Sequence, residues 1–347
     1  MTSGKRSILL TLLALLVTAS IFVASGLGAV KITITEILDI LLTKLGISNG
    51  QSQHEAVFWI IRLPRVLLSA FVGAGLAISG TAMQGIFRNP LADPSIIGIS
   101  SGAASTASVF IVVLSAIMPQ WYTMWGVSLL SIASFIGAAL TAWLIFTISH
   151  TKRGADLATM LLAGIAINAL GGAITGVMTF LADDVQLRSL TFWTLGSLGG
   201  ATWQSAGIVA AITTVCLIFL IPISKGLNAM ALGESEALHI GINVQSLKVR
   251  VIILTTLAVS ATVAFCGIIG FIGLAVPHIL RISFSSDNRF LLPASALGGA
   301  LLLIWADTLS RTIAQPAEIP IGVITALTGA PVFLYLLIQQ KRKAKYA

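Results

Sequence analysis

MQGIFRNPLADPSIIGISSGA, residues 83–103, interrupts an otherwise apolar chain. Arg88, Asn89 and Asp93 stand among Pro90 and Pro94, and the sequence then resumes with Ser100, Ser101 and Gly102 rather than with leucines. Proline lacks an amide donor and fits where one helix stops or in the first turn of the next, so RNPLADP reads as a turn between two helices. The surroundings decide whether those helices lie in water or in lipid. The 347 residues are 56% hydrophobic and 9% charged, and the mean hydropathy is +1.00. Soluble domains carry about 25% charge. Apolar runs of about 20 residues cross a bilayer as helices, and irregular polar backbone there must meet water or protein. The turn therefore belongs at the membrane–water interface of an all-α polytopic protein.

Working outward from it, the apolar runs predict ten spanning helices, at about residues 8–30, 64–84, 94–115, 122–147, 156–181, 201–222, 249–267, 268–283, 290–312 and 318–338. Residues 251–280 are nearly continuous, and the division between the seventh and eighth is placed at CGIIGFIG. The first helix follows Lys5 and Arg6. Its apolar stretch exceeds that of a signal peptide and no small-x-small site ends it, so it is expected to be retained. The whole chain, 1–347, reads as a single transmembrane domain.

Lysines and arginines near the helix ends set the orientation. With an even number of spans, fourteen of the 20 basic residues share the side of the two termini. The other six, Lys31, Lys44, Arg62, Arg65, Arg188 and Arg311, lie opposite. Both termini are therefore expected in the cytoplasm. The net charge of +8 reflects this bias rather than a nucleic-acid partner.

The sequence offers no chemistry of its own. It has no Walker-type phosphate loop, no His-Glu-x-x-His and no Cys-x-x-Cys. Cys216 and Cys266 lie in apolar runs and read as small buried hydrophobes. All twelve acidic residues fall in loops or near helix ends, whereas an ion-coupled carrier usually keeps a carboxylate at the midplane. His278, after Pro277, reads as a structural or interfacial histidine near a cytoplasmic helix end.

Small residues are the positive signal. Gly75 with Ser79 and Ser101 with Ser105 have the small-x-x-x-small spacing that lets helices approach closely in lipid. Polar members of these stripes, Ser101, Asn168 and Thr175, either pack or line a weakly polar path. The longest polar segment between spans, residues 225–250, alternates apolar and acidic positions and predicts two short helices broken at Gly241. Such an element suits a partner's groove.

These residues carry a resemblance. RLPRVL, GAGLAISGTAMQGIFRNPLADPSIIGISSGA, LLAGIAIN, LGSLGG, ALGESEALHIGINV, GFIGLAVPHILR and EIPIGVITALTGAPVFLYLL, in this order over about residues 57–338, are similar to the FecCD-type permeases of type II ABC importers for iron–siderophores, haem and vitamin B12. The resemblance implies ten helices, with helices two to five and seven to ten as inverted repeats. It implies a bacterial cytoplasmic membrane and a second permease subunit, identical or similar. Two cytoplasmic ATPase subunits would hold the ATP and magnesium, so this chain binds no cofactor directly and is not itself an enzyme. An extracytoplasmic binding protein would deliver the substrate. Residue by residue, Asn89 and Leu91 take the positions of the cytoplasmic gate. Leu232, Gly233 and Glu234, within the segment 225–248, match the ATPase-coupling helices, where Gly233 would permit close backbone approach. Arg62, Arg65 and Arg311 match arginines that receive glutamates of the binding protein. For Arg62 and Arg65 the simpler reading is snorkelling at the interface; for Arg311 it is an ion pair with Asp307. The expected cargo is an iron(III)–siderophore, the commonest in the family, with haem or vitamin B12 as alternatives. From a different class, an ion-coupled secondary carrier is the competing expectation.

Overall fold

The computed structural model describes residues 3–47, 53–151 and 154–345; Lys152 and Arg153, counted above for orientation, lie outside them. In chain order the helices are α1 (Ser3–Gly26), α2 (Ile34–Lys44), α3 (Leu63–Phe87), α4 (Ile99–Val109), α5 (Ser115–Ile117), α6 (Pro119–Ser149), α7 (Leu157–Leu181), α8 (Asp184–Leu195), α9 (Trp203–Leu220), α10 (Ser224–Leu232), α11 (Glu234–His239), α12 (Val244–Cys266), α13 (Ile272–Ser283), α14 (Asn288–Ser310) and α15 (Ile321–Lys345). A two-residue hairpin, β1 (His150–Thr151) with β2 (Gly154–Ala155), joins α6 to α7. Among the described residues, eight helical segments are long and apolar enough to cross a membrane, and two shorter apolar helices accompany them. Together they occupy the ten expected positions.

Local chemistry explains where the ends differ from expectation. The first span stops at Gly26, where the Ile32 amide turns back onto the Gly26 carbonyl at 3.0 Å. The seventh begins at Val244 rather than at 249, because Asn243 Oδ1 accepts the Ser246 amide at 2.9 Å as an N-cap. Two helices were not expected. α2 starts at a capping box in which Thr33 and Glu36 each accept the other's backbone amide, and α8 starts at the equivalent pair Asp183 and Gln186. The break between α12 and α13 falls where expected, with Gly267 at φ 68° and Phe271 at φ 68°. The polar segment does contain two short helices, but they part at Gly233, and Gly241 only ends the second. Cys216 and Cys266 are free and buried.

The spans that follow α3 and α12 have left-handed entries: α4, which continues through residues 110–117 as one span, is entered through Gly98 at φ 73°, and the shorter α13 through Phe271 at φ 68°.

The core forms around α3, whose spanning segment is 89% buried. It packs against α14, α9, α12 and α13. Glycines set these distances: a Cβ on Gly73 would run into the Gly299 carbonyl, and one on Gly80 into the Gly273 carbonyl. α7 lies at the opposite extreme, only 17% buried over its span, with Leu162, Ile165, Val177 and Phe180 exposed. At one end of the bundle, Arg6 of α1 pairs with Asp287 at 2.5 Å, and Asn228 of α10 donates to the same carboxylate at 2.7 Å. The start of α1 therefore shares a face with α10 and α11.

Candidate functional site

On that face, α3 ends at Arg88, which caps it in the left-handed conformation at φ 51°. Asn89 Oδ1 then accepts the Leu91 amide at 2.9 Å, and Asp93 Oδ1 accepts the Ser95 amide at 2.9 Å. These side-chain bonds close the turn locally. Asn89 itself is exposed and Leu91 is held out to solvent.

The coupling candidates lie nearby. Leu232 is 73% exposed at the tip of α10. Gly233 sits between α10 and α11 at φ 133°, ψ 155°, a region essentially confined to glycine. Within this chain the reason for glycine there is backbone conformation rather than crowding, since a Cβ would meet nothing closer than 3.8 Å. Glu234 pairs with Lys248 at 2.8 Å. Lys248, which sequence reasoning counted as one more basic residue, is buried, and its ammonium also donates to the Ala155 carbonyl at 3.2 Å. It thereby ties α11 to the α6–α7 hairpin. Arg88, Asp156, Glu234 and Lys248 line one cavity of about 600 Å³, so the turn, the hairpin and α11 meet around a shared polar space.

Of the path candidates, Ser101 donates to Asn168 Oδ1 at 2.5 Å, and Asn168 Nδ2 reaches the Ser95 carbonyl at 3.4 Å. This polar pair joins α4 to α7, where Gly164 and Gly171 admit the backbone of residues 96 and 101. Thr175 bonds its own helix at Gly171 and lines a small cavity against α8. His278 is buried facing the Phe333 ring, with neither ring nitrogen hydrogen-bonded; its position is internal rather than interfacial.

At the other end of the bundle, Arg62, Arg65 and Arg311 are brought together as expected, but turned inward, with exposures of 6%, 6% and 5%. Arg65 Nε donates to Asp307 at 2.9 Å, while its two terminal nitrogens hold both oxygens of Glu318 at 2.8 and 3.0 Å. Arg311 approaches Asp307 at 3.4 Å, the ion pair that its spacing suggested, and donates to the Ala24 carbonyl at 2.6 Å. Arg62 donates to the carbonyls of Leu27 and Val30. The three are therefore neither snorkelling cations nor free docking charges. They form a buried node in which Asp307 and Glu318 neutralise charge and backbone carbonyls at the α1 end take further donors, while Arg311 Nη1 is left without a hydrogen-bond partner among the described residues. Of the two carboxylates only Glu318 reaches solvent, with 45% of its side chain exposed. Hydrogen bonds from Arg65 hold its carboxyl below the usual range. Glu318 was missed because it lies 253 residues from Arg65 in sequence.

The model of the FecCD transport family matches residues 12–339. The chain is 47% identical over 289 residues to the hemin transport system permease protein HmuU of Yersinia pestis, covering 82% of this chain and 84% of the relative. It is 37% identical over 296 residues to the vitamin B12 import system permease protein BtuC of Vibrio cholerae, covering 84% and 86%. A solved metal-chelate type ABC transporter in an inward-facing conformation superposes with a TM-score of 0.80 at 31% identity, covering 95% of this chain and 98% of that one. The chain belongs to the FecCD transport family. It is a multi-pass membrane permease of the type II ABC importer kind.

Proposed function

We propose that the chain is the permease subunit of a haem importer of the bacterial cytoplasmic membrane, with both termini in the cytoplasm. The observation carrying the choice of cargo is the 47% identity to a hemin permease across four fifths of the chain, against 37% to a vitamin B12 permease. The structural likeness to a metal-chelate transporter keeps the iron(III)–siderophore expected from the sequence as the second reading. The mechanism is alternating access. The exposed face of α7, with the part-exposed Ser101, Asn168 and Thr175 beside it, suits the boundary with a second permease subunit, identical or similar. Substrate would pass along that boundary, and the turn at Asn89 and Leu91 would narrow its cytoplasmic mouth. Leu232, Gly233 and Glu234 would seat in two cytoplasmic ATPase subunits, which bind the ATP and magnesium, so this chain carries no cofactor. Deleting the gene is expected to abolish growth on haem as the iron source and to spare growth on ferric siderophores and cobalamin uptake. Loss of siderophore use with haem use intact would transfer the assignment to the second reading. Uptake by the purified permease under an ion gradient, with no ATPase, would establish the secondary carrier instead.

The extracytoplasmic binding protein is proposed to dock over the arginine node. Since Arg62 and Arg311 are committed to internal carbonyls, docking narrows to Arg65, whose planar fork suits a carboxylate and whose Glu318 partner is reachable from solvent. A carboxylate of the binding protein would then exchange with Glu318. Glu318→Gln, which removes the competing charge, is expected to tighten binding several-fold at low salt, with added salt eroding the gain. Unchanged or weaker affinity in Glu318→Gln would refute docking through Arg65.

A further inference from the structure

A groove of about 580 Å³ runs between α6 and α12 and shares no lining residue with the polar cavity at Arg88, Glu234 and Lys248. Its lining on α6 extends from Phe135 to Thr147 and ends at His150, and on α12 from Val249 to Ser260. At 1.5 Å per residue these stretches are about 22 and 16 Å long, enough to span the ~15 Å of one leaflet of hydrocarbon. Trp143 and Ile253 on its rims are 62% and 59% exposed, as expected of side chains facing lipid. No acidic residue lines it.

The mouth is basic. His150 lines it and is exposed. Arg250 is exposed and stands three and seven residues before Ile253 and Leu257, which both line the groove, so it lies on the same helical stripe. This mouth is on the face of the coupling helices, because the adjoining hairpin is fastened to Lys248.

We propose that the groove is a binding site for one anionic phospholipid of that leaflet, an acyl chain lying against Trp143, Phe146 and Ile252 and the phosphate held between His150 and Arg250. One acyl chain can lie inside such a groove, whereas a helix about 10 Å across would rest on its rims. The charge favours an anionic headgroup, since basic pockets between helices on the cytoplasmic side bind such lipids.

The test is native mass spectrometry of the full-length permease purified in mild detergent and titrated with phosphatidylglycerol or phosphatidylcholine. Wild type is expected to retain phosphatidylglycerol preferentially. His150→Glu with Arg250→Glu should weaken that retention by about tenfold or more while leaving phosphatidylcholine binding unchanged. Ile253→Trp, which narrows the groove from its exposed rim, should reduce both, with Ala139→Phe as a second variant and thermal unfolding as the check that each remains folded. Equal retention of the two lipids by wild type would overturn the proposal. So would retention of phosphatidylglycerol undiminished by the double charge reversal, or a groove variant that dissociates permease dimers without changing lipid binding.

Discussion

Asp307→Asn is expected to lower the unfolding free energy by about 3–5 kcal/mol, the cost of leaving a buried charge uncompensated, out of the roughly 5–15 kcal/mol that holds a domain folded. Asp307 is 1% exposed and is the carboxylate that Arg65 and Arg311 share. Asparagine preserves its shape and removes its charge, so Arg311 is left buried with only the Ala24 carbonyl and the Thr308 hydroxyl as acceptors, while Arg65 keeps only Glu318 as a charged partner. Thermal unfolding of the purified permease in detergent reads the effect, and an unaltered transition would show that the node contributes nothing. A compensated variant separates charge from shape. Asp307→Leu combined with Arg311→Met removes both the acid and the cation it serves, and should recover much of the loss, since well-packed apolar replacements of buried ion pairs are often neutral or better. The node's burial also changes how docking should be probed. Reversing all three arginines to glutamate would destabilise that end of the bundle, and a loss of docking would then be uninformative; Glu318→Gln avoids that.

Gly233→Val is expected to leave the membrane helices folded and to abolish transport. At φ 133°, ψ 155° a β-branched residue is strained by about 1–3 kcal/mol, and the strain is relieved most easily by turning α11 against α10, since a Cβ has open space around it. That turn displaces exposed Leu232 and Glu234 together, and pulls on Lys248 and through it on the α6–α7 hairpin. ATPase association measured by co-purification should fall at least tenfold, with uptake falling in parallel and unfolding temperature shifting little. Full uptake with a normally associated ATPase would show that this glycine is not part of the coupling.

Apolar runs made the ten spans legible, because lipid demands long uniform segments. The two helices overlooked were also written in the sequence, in a different script: TITE at 33–36 and DDVQ at 183–186 carry capping boxes, and apolarity alone reads such segments as loops. Arg62 and Arg65 could be flagged from their unexpected side of the membrane. Their direction could not, because their acceptors come from the end of α1 and from Asp307 and Glu318, more than 240 residues from Arg65. Lys248 was hidden in the same way among the basic residues of its face; burial and pairing set it apart, and a single sequence shows neither. The pairing of Ser101 with Asn168 was half legible. Both were noticed as polar groups in small-residue stripes, and only the crossing of α4 with α7 joins them.

The enclosure of α3 bears on how such a permease can move. A rod gripped on every side through glycine contacts has no room to tilt or slide by itself, so it acts as an axle that α9, α12, α13 and α14 must follow. In the proposed cycle, opening and closing would fall to the loosely held rim, where α7 turns most of its surface away from its own chain. The proposed second subunit would then meet this chain where it is least enclosed, and supply the other wall.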